Sequence, residues 1–222
     1  LKLISVNVGL SRQIPWKGRV IKTAIFKEPV AGPARVGKRL VEGDCQVSKK
    51  IHGGPDKAVY AYPAEHYDFW RIETPEVEIP AKAWGLFGEN LTTQGVLEPE
   101  VNIGDRFRIG GCVLMVTQPR LPCVKLAARF GRPDMVKRFL HSLRTGFYLS
   151  VIEEGLIAAG DRIERIHHDP DDIRVTEAVV HYSGRAAGRP TDPEWLRRAA
   201  RHPALAWDWR EHFQKQLDRL VV

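Results

Sequence analysis

The chain has 222 residues, a net charge of +7, a pI near 9.4 and a hydrophobic fraction of 43%. That length and composition suit one large globular domain, or a domain with a small appendage. No apolar run is long enough to span a bilayer, the start does not have the form of a signal peptide, and Cys45, Cys112 and Cys123 are too scattered for a disulfide framework or a zinc motif.

A reducing, cytoplasmic compartment is therefore expected. The positive charge attracts anions of many kinds. No zinc finger and no aromatic RNA-binding signature accompanies it, so nucleic acid is not the expected partner.

In chain order, residues 1–9 read as a strand and 20–27 as a second, with a polar loop carrying Pro15 and Gly18 between them. Residues 29–38, rich in Gly and Pro, read as loop. Residues 39–49 suggest a strand or strand pair around a Gly-Asp turn. His52-Gly53-Gly54-Pro55-Asp56 is turn punctuation. A strand over 57–62 and a short helix over 64–70, with aromatic residues on its inner face, are expected next. Paired glycines beside His and Lys let backbone approach an anion closely; taken alone, these residues read first as a plain hairpin turn.

Residues 84–95 read WGLFGENLTTQG. Glu89 and Asn90 sit inside an apolar, Gly-punctuated segment and need hydrogen-bond partners if buried. They either line a pocket or brace the turn. Residues 101–117 read as a hairpin turning at a Gly-Gly pair. Its Gly104-Asp105-Arg106 turn recurs at Gly160-Asp161-Arg162, a shared device and not a repeat.

The segment TQPRLPC, residues 117–123, carries an apolar β-branched strand into a helix. Pro122 suits a first helical turn, which would place Cys123 beside free N–H groups at the positive end of the helix dipole. Arg120 and Lys125 add cationic charge, and together these favour a thiolate, a nucleophile and soft metal ligand. A small buried hydrophobe is the other reading of Cys123.

A helix over 135–143 ended by Gly146, and a strand over 147–152, follow. Residues 167–172, HHDPDD, read as a solvated hinge, because adjacent histidines do not face one way. Three helices are expected beyond it: 176–181, 192–201 with an Asp192 cap and Pro193, and 206–220 with Trp207, Leu217 and Leu220 as apolar contacts. The whole reads as a mainly β protein with inserted helices, a closed or nearly closed β-barrel over 1–168, and a three-helix appendage over 169–222.

Three motifs in order, KIHGGPDKAVYAY at 50–62, FGENL at 87–91 and TQPRLPC at 117–123, resemble the MOSC domain family, in its stand-alone YiiM-like bacterial type. The resemblance extends over nearly the whole chain, helical tail included. It implies a β-barrel MOSC fold holding a molybdenum cofactor (molybdopterin), with Cys123 as the thiolate ligand to the metal. It further implies reduction of N-hydroxylated compounds such as N-hydroxylated purine bases. On this basis Lys50, His52, Gly53, Gly54, Lys57, Glu89, Asn90, Arg120 and Cys123 are the expected cofactor-binding residues, and Cys123, His52 and Glu89 the expected catalytic ones.

With no flavin or nicotinamide fingerprint in the chain, electrons are expected from a separate flavoprotein. A sulfur carrier using a Cys123 persulfide, and a non-enzymatic nucleic-acid or protein binding module, are the competing readings. Cys45 and Cys112 are expected to be dispensable.

Overall fold

The computed structural model describes residues 1–47, 53–183 and 192–220. In chain order the first strands are β1 (Lys2–Val8), β2 (Arg12–Trp16), β3 (Arg19–Thr23), β4 (Glu28–Pro29), β5 (Ala34–Gly37) and β6 (Leu40–Val41). Then come β7 (Val59–Pro63), α1 (Glu65–Glu73), β8 (Leu91–Gln94), β9 (Arg106–Ile109) and β10 (Cys112–Pro119). Helices α2 (Val124–Arg129) and α3 (Met135–Ser142) are inserted before β11 (Phe147–Glu153), β12 (Gly155–Ile157) and β13 (Ile163–His167). The tail holds α4 (Val175–Tyr182), α5 (Pro193–Arg201) and α6 (Trp207–Asp218).

Eight strands form one sheet in the order β13-β9-β10-β11-β7-β8-β1-β4. The sheet curls until β1 meets the segment leading into β13. Leu3 N–H donates to Asp161 O (2.9 Å), Gly160 N–H to Leu3 O (2.8 Å) and Ile163 N–H to Leu1 O (3.0 Å). This seam is a single bridge, Lys2 opposite Arg162, and not a full ladder, so the expected barrel is drawn together without a continuous closing strand pair. It still satisfies edge N–H and C=O groups that would otherwise invite intermolecular pairing. The two Gly-Asp-Arg turns perform the same local task. Asp105 accepts from Asn102 N–H (3.0 Å) and Asp161 from Ala158 N–H (2.8 Å).

Several elements depart from the sequence reading. The expected loop around Pro15 is strand: β2 and β3 form a separate two-stranded ribbon. Its exposed edge tolerates Pro15, which has no N–H to offer. The strand ends at Thr23, well before Lys27. The Gly/Pro-rich stretch contains β5, paired with both β6 and β12. Helix α3 is closed by Leu143 in the left-handed conformation (φ 57°), three residues before Gly146.

Gly146 serves close packing instead: at φ 63°, an added Cβ would lie 2.3 Å from Ala61 O. In the tail, Trp207 and Leu220 are exposed, while Trp209 and Phe213 are buried. The 3.6-residue period rotates Trp209 and Phe213, four apart, onto the inner face.

One apolar cluster runs from the sheet interior (Leu114, Val116, Phe107, Leu149) into the tail (Val175, Ala178, Leu196, Trp209, Phe213). A second, aromatic cluster joins Tyr62, Tyr67, Trp70, Phe87 and Phe139 on the side of α1 and α3. Tyr62 stacks on Phe87 at 4.5 Å between centroids and accepts from Trp70 Nε1 at 2.6 Å. Stacked and edge-on rings hold geometry as well as burying area, and this cluster fixes the 84–90 loop against the sheet.

The polar hinge at 167–172 is largely exposed, as expected of a solvated linker, and it is also tied down as a strap. Asp105, fully buried, accepts from His168 Nδ1 (2.9 Å) and from Asp169 N–H (2.8 Å). Asn102 Nδ2 donates to Asp169 O (3.0 Å), and Asp169 pairs in turn with the buried His202 of the tail (3.1 Å).

Candidate active site

An open cleft lies beside the strand-to-helix junction after β10. Its wall takes Thr23 from the end of β3, Ala24, Ile25 and Lys27 from the segment after it, and Asp44 to Val47 from the loop after β6. Lys57, Tyr60, Gly88 and Asn90 come from around β7 and β8; Arg120, Cys123, Lys125 and Tyr148 complete it.

Cys123 is half-buried and sits just outside the helical turn in which an opening Pro122 would set it. It is the N-cap of α2, with extended backbone (φ −137°, ψ 178°), and its carbonyl accepts from Leu126 N–H at 2.9 Å. The side chain makes no capping hydrogen bond, so the expected embrace of the sulfur by helical N–H groups is not formed. The reason lies upstream. β10 continues through Pro119, and Arg120 N–H still bonds Gly146 O (3.2 Å). Leu121 and Pro122 then belong to neither strand nor helix, and helical geometry begins only at Val124.

Arg120 is 5% exposed and lies 5.0 Å over the Tyr60 ring and 5.3 Å over Phe139. Its Nη1 is buried without a hydrogen-bond partner among the described residues. A buried guanidinium nitrogen left unsatisfied costs free energy, and a bound anion would remove that cost. Tyr60 and Tyr148 are directly opposite each other on paired strands, rings 5.2 Å apart. Burial pushes both phenols up, more than the nearby Arg120 charge pulls them down, so both keep their protons at neutral pH.

Lys27 reaches the cleft from an apolar run and forms an ion pair with Asp44. Burial lowers its pKa, and Asp44 opposes that shift. Asp44 also accepts from Gly9 N–H and from Asn90 Nδ2, each at 2.9 Å. Gly85, at φ 86°, lets the 84–88 turn press on this wall: a Cβ there would lie 2.6 Å from Lys27 O.

The expected site residues divide. Cys123, Arg120, Asn90 and Lys57 share the cleft. Lys57 Nζ also pairs with Asp208 of α6 at 3.0 Å. Lys50 and His52 lie outside the described residues. Gly53 and Gly54 do not line the cleft; Gly54 uses its freedom (φ 103°) to start a 3₁₀ turn at Pro55–Lys57.

Glu89 stands behind the wall, fully buried. One carboxylate oxygen accepts from Gly85 N–H (2.7 Å), Tyr67 Oη and Thr92 Oγ1 (3.0 Å), the other from Phe87 N–H (3.1 Å). Burial raises its pKa while these donors work against the rise. That geometry is turn bracing.

Lys27, Asp44, Tyr60 and Tyr148 escaped the sequence reading, and so did the position of Cys45. The one available signal was Lys27, a lone cation closing the apolar run Ala24-Ile25-Phe26. The Tyr60–Tyr148 pairing depends on register between strands far apart in sequence.

The MOSC domain profile matches residues 48–164, and the YiiM-like 3-alpha helix domain profile matches residues 186–220. The chain belongs to the MOSC domain family, in its YiiM-like form. It is 37% identical over 221 residues to the uncharacterized protein YflK of Bacillus subtilis, covering 99% of this chain and 96% of that one. It is 39% identical over 162 residues to a protein of Gibberella moniliformis named a reductase, covering 72% of this chain and 28% of that longer protein. The crystal structure of YiiM from Geobacillus stearothermophilus superposes with a TM-score of 0.78 at 34% identity, covering 97% of this chain and 98% of that one. Among the described residues no helix is long and apolar enough to cross a membrane.

Proposed function

We propose that the chain is a reductase whose cleft holds a molybdenum–pterin cofactor, and that its substrates are N-hydroxylated compounds. The observation that carries this reading is the coincidence, in one cleft, of a half-buried thiol at Cys123 and a buried guanidinium with an unpartnered nitrogen at Arg120. A thiolate is a soft ligand suited to a sulfur-rich metal centre. Arginine is the side chain best matched to a phosphate, through charge-assisted hydrogen bonds. The donor set therefore fits the group. Family membership and the reductase-named relative support the same assignment.

When bound, the cofactor supplies two-electron redox chemistry. The protein supplies the rest. Cys123 anchors the metal, and Arg120 holds the anionic portion of the pterin, with Lys57 adding charge. Asn90 is a fixed amide in the wall, since Tyr60 N–H donates to its oxygen (3.1 Å) while its nitrogen serves Asp44.

The net reaction is R–NHOH + 2 e⁻ + 2 H⁺ → R–NH₂ + H₂O. The N–O bond breaks, an N–H bond forms, and the departing oxygen leaves as water. Both protons must come through the cleft. Lys27 is a cation there whose acidity is raised by burial, which suits it to proton delivery.

The test is elemental analysis and pterin fluorescence of protein produced in a cofactor-making host, with turnover of an N-hydroxylated purine using a chemical reductant. Stoichiometric molybdenum lost in Cys123→Ser, with turnover lost too, is the expected result. Protein that carries no molybdenum and a persulfide on Cys123 would replace this reading with sulfur transfer.

A further inference from the structure

The +7 charge of the chain is unevenly placed. The first 27 residues carry six Lys and Arg and no Asp or Glu. Lys27 pairs with Asp44, and the Arg12 guanidinium lies 3.9 Å over Phe26. Lys17, Arg19 and Lys22 lie on the β2–β3 ribbon, all exposed, with Lys17 Nζ 5.9 Å over the Trp16 ring.

The ribbon is a separate two-stranded sheet, and two strands alone are marginally stable in water. Register places Ile14 opposite Ile21 and Trp16 opposite Arg19, so these four share one face. Ile14, Trp16 and Ile21 are only half-buried on it, and Pro15 and Val20 on the other face are exposed. Apolar and aromatic side chains ringed by cations have the composition of a protein interface with a charged rim. A groove that only tracked phosphates would not need the aliphatic residues. A second copy of this chain would bring the same cations against themselves, at electrostatic cost.

The ribbon also leads into the cleft. Its last residue, Thr23, and then Ala24, Ile25 and Lys27 form part of the cleft wall. Phe26, between them, is clasped from two sides, by Arg12 of the ribbon and by Arg129 (4.3 Å) of α2, the helix that Cys123 caps.

We infer that the β2–β3 ribbon is the docking surface for an acidic redox protein, the flavoprotein that delivers electrons to this cleft. The inference rests on the reductase reading. That reaction consumes two electrons, and the ribbon is a cationic, partly apolar surface continuous with the cleft. The reduced flavin of the partner is the reductant: it gives up two electrons and is oxidised as the N–O bond is cleaved.

The experiment compares wild type with K17E/R19E/K22E, three exposed positions outside the cleft lining. Turnover is driven in parallel by reduced methyl viologen and by reduced flavodoxin, a small acidic flavoprotein, and flavodoxin binding is titrated against salt. Electrostatic steering accelerates association by roughly 10- to 1,000-fold. The variant should therefore lose at least about tenfold in flavodoxin-driven rate and affinity, and most of the salt dependence, at an unchanged methyl viologen rate. Equal flavodoxin rates and affinities for the two proteins would overturn the inference, as would salt-insensitive binding. So would a ribbon-dependent affinity for a DNA or RNA oligonucleotide, or for anionic lipid vesicles, with flavodoxin binding indifferent to the variant. Absence of turnover with methyl viologen in both proteins would instead count against the reductase reading, while the binding titration would still decide the docking surface.

Discussion

Lys27 and Asp44 form an ion pair at the wall of the cleft, with only 8% and 3% of their side chains exposed. Asp44 is also held by Gly9 and Asn90, so the pair ties the segment after β3 and the loop after β6 to the residue that follows β1 and the residue that precedes β8. Removing one partner of a buried pair leaves an uncompensated charge, which typically costs about 3–5 kcal/mol. Lys27→Met should therefore destabilise by about 3 kcal/mol in urea unfolding, given that Asp44 keeps two other donors. The double variant Lys27→Met/Asp44→Asn should recover much of that loss. A single variant as stable as wild type would show that the pair is solvated.

The same pair gives a pH dependence with a defined sign. Burial sets the folded pKa of Lys27 below its ordinary value of 10.5, with Asp44 opposing. In the window between the lowered value and 10.5 the unfolded chain binds more protons, so this group adds stability as pH rises through that window. Below the window its contribution is constant. The alkaline limb of the stability curve should fall more steeply in Lys27→Met than in wild type, measured by denaturant midpoints at graded pH.

Glu89 is expected to matter for folding and not for chemistry. All four of its close partners are donors. Glu89→Gln would set an amide NH₂ against one of them, at a cost of about 1–3 kcal/mol. The folded fraction should retain its turnover per molybdenum. A variant with wild-type stability and lost turnover would put the carboxylate back among the reacting groups.

The cysteines separate by accessibility. Cys112 is fully buried, its thiol pushed up to about 11 by burial, whereas Cys45 and Cys123 are half-buried and line the cleft. Iodoacetamide should label Cys45 and Cys123 in native protein and Cys112 only after unfolding, as read by peptide mass spectrometry. Cys112 is therefore the usable control. Cys45→Ser alters the cleft wall, and a change in substrate KM is expected from it.

The strap between barrel and tail should be stability-bearing. His202 is buried and meets Asp169, which Asp105 and Asn102 hold in place. Losing a charged hydrogen bond costs about 1.5–3 kcal/mol. Asp169→Ala should raise amide exchange in α5 first, with the sheet interior β10–β11 unaffected until global unfolding.

Much of this protein was legible in its residue order. Gly-Asp-Arg turns, the hairpin at Gly110-Gly111, the Asp192-Pro193 helix start and the apolar, largely β-branched run of β10 are local signals, written within a few residues of the structure they specify. The ordered motifs at 50–62, 87–91 and 117–123 carried the family, and Cys123 and Arg120 with it. The rest was decided by tertiary structure, because it depends on contacts between distant segments. Register alone sets Tyr60 against Tyr148. Tertiary packing brings Lys27 to Asp44, and the Tyr67 hydroxyl to Glu89, whose other three donors are local. Helical phase against the barrel, and not hydrophobicity, selected Trp209 over Trp207 for burial.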